Sequence, residues 1–210
     1  VVCDGRFEDG QSQVEADRTG HLGELGKRIH LGRSRNDQVA VALRLFMLDH
    51  LREVRALATD AQQTAEYLAQ THAGTPMPGY THLQRAMPSS VDLWMGSFAE
   101  GFRDVAHLAK LTGEWIDSSP LGTAAGYGVQ LPLDREGVAQ ELGFDRVQEN
   151  PMQVQAARGR YEFQVLSVGW QALQEVRRLA WGLVLFSTQE FAFVTLGPGH
   201  RTGSSIMPNK

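Results

Sequence analysis

The chain has 210 residues, 42% hydrophobic and 21% charged, enough for one sizeable globular domain or one domain plus part of another. A net charge of −4 argues against a nucleic-acid-binding surface, and no apolar run approaches the roughly 18 residues of a membrane helix. The single cysteine, Cys3, excludes an internal disulfide and is expected of a reducing, cytoplasmic setting.

In chain order, residues 1–32 read as polar and irregular, with a short helix possible around Gln13–Gly26. Gly32-Arg33-Ser34-Arg35-Asn36-Asp37-Gln38 follows, and after it no Gly or Pro occurs until Gly74. Leu43, Met47, Leu51, Val54, Leu57, Ala61, Ala65 and Leu68 mix steps of three and four, which predicts a long helix with a seam close to coiled-coil spacing. At about 1.5 Å per residue it would extend roughly 55 Å, a length that suits a long bundle. Ser34 or Asn36 can cap its start, since either side-chain oxygen can accept from an unpaired first-turn amide.

Gly74-Thr75-Pro76-Met77-Pro78-Gly79 ends this helix, and Tyr80-Thr81-His82-Leu83-Gln84 reads as a polar loop. Ser89-Ser90-Val91-Asp92 opens a second helix running to about Ile116, with Leu93, Phe98, Phe102, Val105, Leu108, Leu111 and Trp115 as its expected buried stripe. Pro120-Leu121-Gly122-Thr123-Ala124-Ala125-Gly126-Tyr127-Gly128 is rich in glycine but lacks the Gly-Lys-Ser/Thr ending and preceding buried strand of a P-loop. Asp134 is expected to cap a short helix ending near Gly143. Asn150-Pro151 is expected to start a third long segment reaching about Leu196, with interruptions only at Gly159, Gly169 and Gly182. The expectation is an all-α fold, a bundle of long helices.

The histidines and the lone cysteine show no zinc spacing, and there is no Gly-x-Ser-x-Gly nucleophile elbow. Three polar stretches interrupt the helices instead. Arg33 and Arg35, beside Ser34, Asn36 and Asp37, suit a carboxylate-rich small molecule, because guanidinium binds carboxylates through paired parallel hydrogen bonds. A capped helix with a solvated basic first turn is the plainer alternative, although basic charge at a helix N-terminus opposes the dipole. Thr81, His82 and Gln84 form the second stretch. The third, Gly203-Ser204-Ser205-Ile206-Met207-Pro208-Asn209-Lys210, carries two hydroxyls and an ammonium. Together these groups suit removal of a proton beside a carboxylate, with cations stabilising the developing charge.

Gly32–Val39, Thr81-His82-Leu83-Gln84 and Gly203–Pro208 resemble three signature regions of the fumarase/aspartase superfamily, and the first resembles its argininosuccinate lyase branch in particular. Pro120-Leu121-Gly122 and Pro132-Leu133-Asp134-Arg135 resemble that branch as well. The resemblance covers nearly the whole chain. It implies a long-helix bundle, a homotetramer with active sites shared between subunits, and anti elimination of fumarate from argininosuccinate without metal or organic cofactor. Carried over by position, Ser204 would be the base, His82 would serve the acid side, and Lys210 would stabilise the carbanion-like intermediate. Ser34, Arg35, Asn36, Thr81 and Gln84 would hold the substrate. Residues 1–32 would close an N-terminal domain, and 33–210 would belong to a central bundle domain truncated at its C-terminus. The chain departs from the family at Gln11, where relatives usually carry a histidine. A sibling such as adenylosuccinate lyase or aspartase, or a non-catalytic crystallin-like relative, are the alternatives.

Overall fold

Capping residues set where the helices begin. In the computed structural model, which describes Phe7 and residues 9–207, Asp9 accepts from the Ser12 amide at 2.8 Å and opens α1, Gly10–Leu22. A one-turn helix α2, Glu24–Arg28, follows, and then α3 runs over Arg35–Thr71. The strands β1, Pro76–Thr81, and β2, Gln84–Ser90, form an antiparallel hairpin. Next comes α4, Val91–Ile116, where the Ser90 hydroxyl accepts from the Leu93 amide at 3.3 Å. After β3, Ser118–Ser119, come α5, Arg135–Glu141, and β4, Arg146–Val147. The chain then forms α6, Pro151–Ala156, α7, Arg160–Phe186, and a 3-10 turn at Pro198–His200. Asp134 and Asn150 cap α5 and α6 by accepting from Gly137 and Gln153 amides, the local geometry that makes such caps legible in sequence.

Two expectations change. The polar loop at Tyr80–Gln84 is the tip of a β-hairpin. The last helical segment is broken at Gly159, an expected interruption whose φ of +87° no helix accommodates, but α7 runs unbroken through Gly169 and Gly182 and ends at Phe186 rather than near Leu196.

The contacts divide the chain into two units, residues 1–53 with 109–166, and residues 54–108 with 167–210. In the first, α3 buries Val41, Met47, Leu48 and Leu51, and Arg44 lies in the same buried row. Arg44 Nη1 donates to the Ile116 carbonyl at 2.8 Å and to the Ser118 carbonyl and hydroxyl at 2.9 Å, while its guanidinium lies 3.9 Å over the Tyr161 ring. Burial lowers its pKa from the ordinary arginine value, and Tyr161 and Glu162 act in the opposite direction. The parallel β3–β4 pair sets Ser118 opposite Arg146 and Ser119 opposite Val147.

In the second unit, Ala65 of α3 packs with Met95, Phe98, Ala99 and Phe102 of α4, and Leu179 of α7 closes on them. Ala58, Val105 and Ala106 make a second layer with Val54 and Ala172. Alanines on α3 leave room for the α4 aromatic rings, a large-against-small arrangement that lets the two helices approach closely. Leu43, Leu57 and Leu68 of α3 and Leu93, Leu111 and Trp115 of α4 lie exposed instead of in the expected stripes. The apolar positions on these helices exceed one face, so spacing alone does not say which face turns inward.

Candidate active site

The first polar stretch forms the N-terminus of α3. The Ser34 carbonyl accepts from Gln38 N–H at 3.1 Å and its hydroxyl accepts from Asn36 N–H at 3.3 Å, so Ser34 is the cap and Asn36 lies in the first turn. Reciprocally, the Ser34 amide donates to Asp37 Oδ1 at 2.9 Å, which completes a capping box. Arg35 Nη2 donates to the Ser12 hydroxyl at 2.8 Å, and its Nη1 lies 3.4 Å from Asp9 Oδ2. Hydrogen bonds from the Ser12 amide and hydroxyl, with Arg35 adding its charge, hold the Asp9 carboxyl below the usual range. Asn36 Oδ1 accepts from Arg158 Nη1 at 3.3 Å. Ser34, Arg35 and Asn36 thus share one helix end, rich in hydrogen-bonding groups. Gln11, on α1, lines a small depression with Glu15, His30 and Gln38.

The second stretch is the hairpin tip. Thr81 and Gln84 are register partners, and His82 and Leu83 between them have φ of +53° and +59°. Positive φ at both central positions is the type I′ geometry that matches strand twist, normally built from Asn-Gly or Asp-Gly. All four residues are exposed, and the hairpin is anchored by Tyr80, whose ring meets Phe191 edge-on at 5.2 Å. A leucine in left-handed backbone costs about 1–2 kcal/mol, part of which a glycine would return as unfolded-state entropy. Leu83→Gly is therefore expected to raise stability by about 0.5–1 kcal/mol, read as a higher urea midpoint at unchanged slope. A lower midpoint would show that the Leu83 side chain contributes more than its backbone costs.

The third stretch carries Ser204, half-buried, whose hydroxyl accepts from the Met207 amide at 3.1 Å. An amide donor aimed at a serine oxygen stabilises negative charge there, which favours the hydroxyl as a proton acceptor. Lys210 lies outside the described residues. Among the described residues no hydrogen bond joins the hairpin tip to the Ser204 loop. No three His, Cys, Asp or Glu side chains gather as a metal-binding group among them, and no helix is long and apolar enough to cross a membrane.

Asp37 is the residue that sequence reasoning underused. It is 0% exposed, and its Oδ2 accepts from the Gly122 and Ala124 amides at 3.0 and 2.8 Å. The Ser-x-x-Asp spacing from Ser34 is a signal that could have marked its capping role, but nothing local points to partners 85 and 87 residues away.

The sequence profile of the Lyase family matches residues 8–210. The chain belongs to that lyase family. It is 51% identical over 209 residues to the argininosuccinate lyase of Xylella fastidiosa (strain 9a5c), covering 100% of this chain and 47% of that protein. It is likewise 51% identical over 203 residues to the argininosuccinate lyase of Sorangium cellulosum (strain So ce56), covering 97% and 47%. This lyase chain therefore spans about half the length of the curated relatives it matches. Among solved structures, EDDS lyase in complex with formate superposes with a TM-score of 0.90 at 28% identity, over 97% of this chain and 41% of that one. A variant of EDDS lyase with bound fumarate gives 0.89 at 28% identity, over 93% and 39%. The 3-carboxy-cis,cis-muconate lactonizing enzyme of Pseudomonas putida, 22% identical over 90% and 43%, shares the fold with a TM-score of 0.76. The lyase fold is all-α, a long-helix bundle of the fumarase/aspartase type, as expected from the sequence.

Proposed function

We propose that the protein carrying this chain is an argininosuccinate lyase, which eliminates fumarate from argininosuccinate and releases L-arginine in arginine biosynthesis. The observation that carries the reading is identity of about half the residues, over the whole chain, to argininosuccinate lyases. The geometry supports it through the donor-rich first turn of α3 and the amide-supported hydroxyl of Ser204.

In this reading Ser204 Oγ takes the proton from the carbon beside a substrate carboxylate. The electron pair is held as an aci-carboxylate, stabilised by the Lys210 ammonium. It then forms the carbon–carbon double bond of fumarate as the carbon–nitrogen bond breaks, and the group served by His82 returns a proton to the departing guanidino nitrogen. Ser34, Arg35, Asn36, Thr81 and Gln84 hold the substrate's carboxylates and polar groups. All steps are proton transfers and charge stabilisation, so the reading uses no metal or organic cofactor.

The same reading takes residues 33–210 as the central bundle domain, with 1–32 closing the domain before it. It places the protein in the cytoplasm as a homotetramer whose subunits share active sites. Support for assembly comes from α7, where Trp170, Leu173, Val176, Trp181 and Val184 are 63, 65, 51, 66 and 60% exposed. A face this apolar is expected to be covered in the working protein.

The deciding experiment incubates the complete polypeptide with argininosuccinate and follows fumarate by ultraviolet absorbance. Steady release supports the assignment. Release only from adenylosuccinate or aspartate would move it to a sibling lyase, and release from none of the three would mark a non-catalytic, crystallin-like relative.

A further inference from the structure

The glycine-rich segment that does not make a phosphate loop still does what such loops do, because its backbone binds an anion. Gly122, with φ of +88°, and Ala124, with φ of +49°, turn their amides into one concavity, the arrangement that receives phosphate or carboxylate in other proteins. Here the anion is internal. Asp37 Oδ2 takes both amides, while Asp37 Oδ1 takes the amide of Ser34. The loop is itself held: Arg135 Nε donates to the Leu121 carbonyl at 3.0 Å, the Thr123 hydroxyl donates to the Pro120 carbonyl at 2.9 Å, and Thr123 is 0% exposed.

We infer that Asp37 is a positioning residue for substrate binding: its buried carboxylate, clamped by three backbone amides, fixes the first turn of α3 and hence the placement of Ser34, Arg35 and Asn36. The inference rests on the argininosuccinate lyase reading. Asp37 itself is fully buried and follows Asn36 directly, so it acts on the substrate only through its neighbours. Ser34 depends on it doubly, because the same carboxylate that accepts its amide also ties the cap to a loop 85 residues away. Binding groups held within about half an ångström of their productive geometry require a rigid support of this kind.

Asparagine at this position has one acceptor oxygen and an NH2 group that points a donor at a donor. It can satisfy the Ser34 side or the loop side, but not both. With the complete polypeptide, Asp37→Asn is expected to raise KM for argininosuccinate at least tenfold while kcat changes less than threefold. KM does not depend on how much of the protein is folded, so this split separates positioning from simple loss of stability. An unchanged KM with only a lower melting temperature or a smaller active fraction would overturn the inference. If Asp37→Asn gives no folded protein, Gly122→Ala decides. Its added Cβ would meet Arg135 Cγ at 2.9 Å in left-handed backbone, shifting the loop amides without touching Asp37. A raised KM in that variant supports the role, and a wild-type KM overturns it. Wild type is assayed first. If it releases no fumarate, the functional reading falls and takes the role with it, whereas an active wild type with an indifferent Asp37 removes the role alone.

Discussion

Replacing Ser204 with alanine is expected to slow fumarate release by about a thousandfold, within the range for loss of a positioned acid or base, while KM changes less than threefold. The hydroxyl makes its contribution when the substrate proton moves, so its loss falls on the transition state more than on binding. Its hydrogen bond from the Met207 amide, at 3.1 Å, belongs to a local turn of the same loop, so the substitution leaves the buried layers of the second unit untouched. Folding should therefore be unaffected, and circular dichroism with a melting curve checks that. Ser205→Ala is the companion variant, because that neighbouring hydroxyl is exposed. A Ser204→Ala enzyme with wild-type turnover removes Ser204 as the base. Loss of turnover in Ser205→Ala alone would transfer the role to its neighbour.

A double substitution on α7, Trp170→Glu with Leu173→Glu, is expected to dissociate the assembly and reduce activity at least tenfold with helix content unchanged. The two side chains are 63 and 65% exposed in the single chain, so replacing them removes little packing within it. In an assembly that covers them, each loses about 1.5–3 kcal/mol of apolar burial. Each new carboxylate also faces a desolvation penalty of several kcal/mol, and a symmetric interface repeats both costs in every subunit. Light scattering should show a mass below that of the wild-type protein. A wild-type mass and turnover would show that this face is not what holds the subunits together.

What sequence reading reached was local. Asp134 and Asn150 were legible as caps because a cap is decided by a side chain and an amide a few residues apart, and the second long helix ends at Ile116 as its pattern implied. The hairpin was not legible. Pro76, Pro78 and Pro88 sit in its strands, which argues against a sheet, and its tip uses His82-Leu83 where turn chemistry would favour Asn-Gly. Its geometry is imposed by packing, in part by the contact of Tyr80 with Phe191. On α7, Trp170, Leu173, Val176, Trp181 and Val184 lie exposed in the single chain, which apolar spacing does not announce. For the candidate site, the three polar stretches are visible in the sequence as residue types. The support beneath them is not, because Asp37 finds its partners 85 and 87 residues further on.

Arg44 has a consequence of its own for how firmly the first unit is specified. It lies among the buried Val41, Met47, Leu48 and Leu51, further along α3 than the buried Asp37, and its guanidinium answers the carbonyls of Ile116 and Ser118 at the end of α4. Leucine and methionine in that row would tolerate sliding, since one apolar contact replaces another at little cost. A slip of one helical turn, about 5.4 Å, would carry the cation away from those carbonyls and leave it buried without them. The seam therefore has one admissible alignment, selected by two buried charges, the Arg44 cation at these carbonyls and the Asp37 carboxylate at the Gly122 and Ala124 amides.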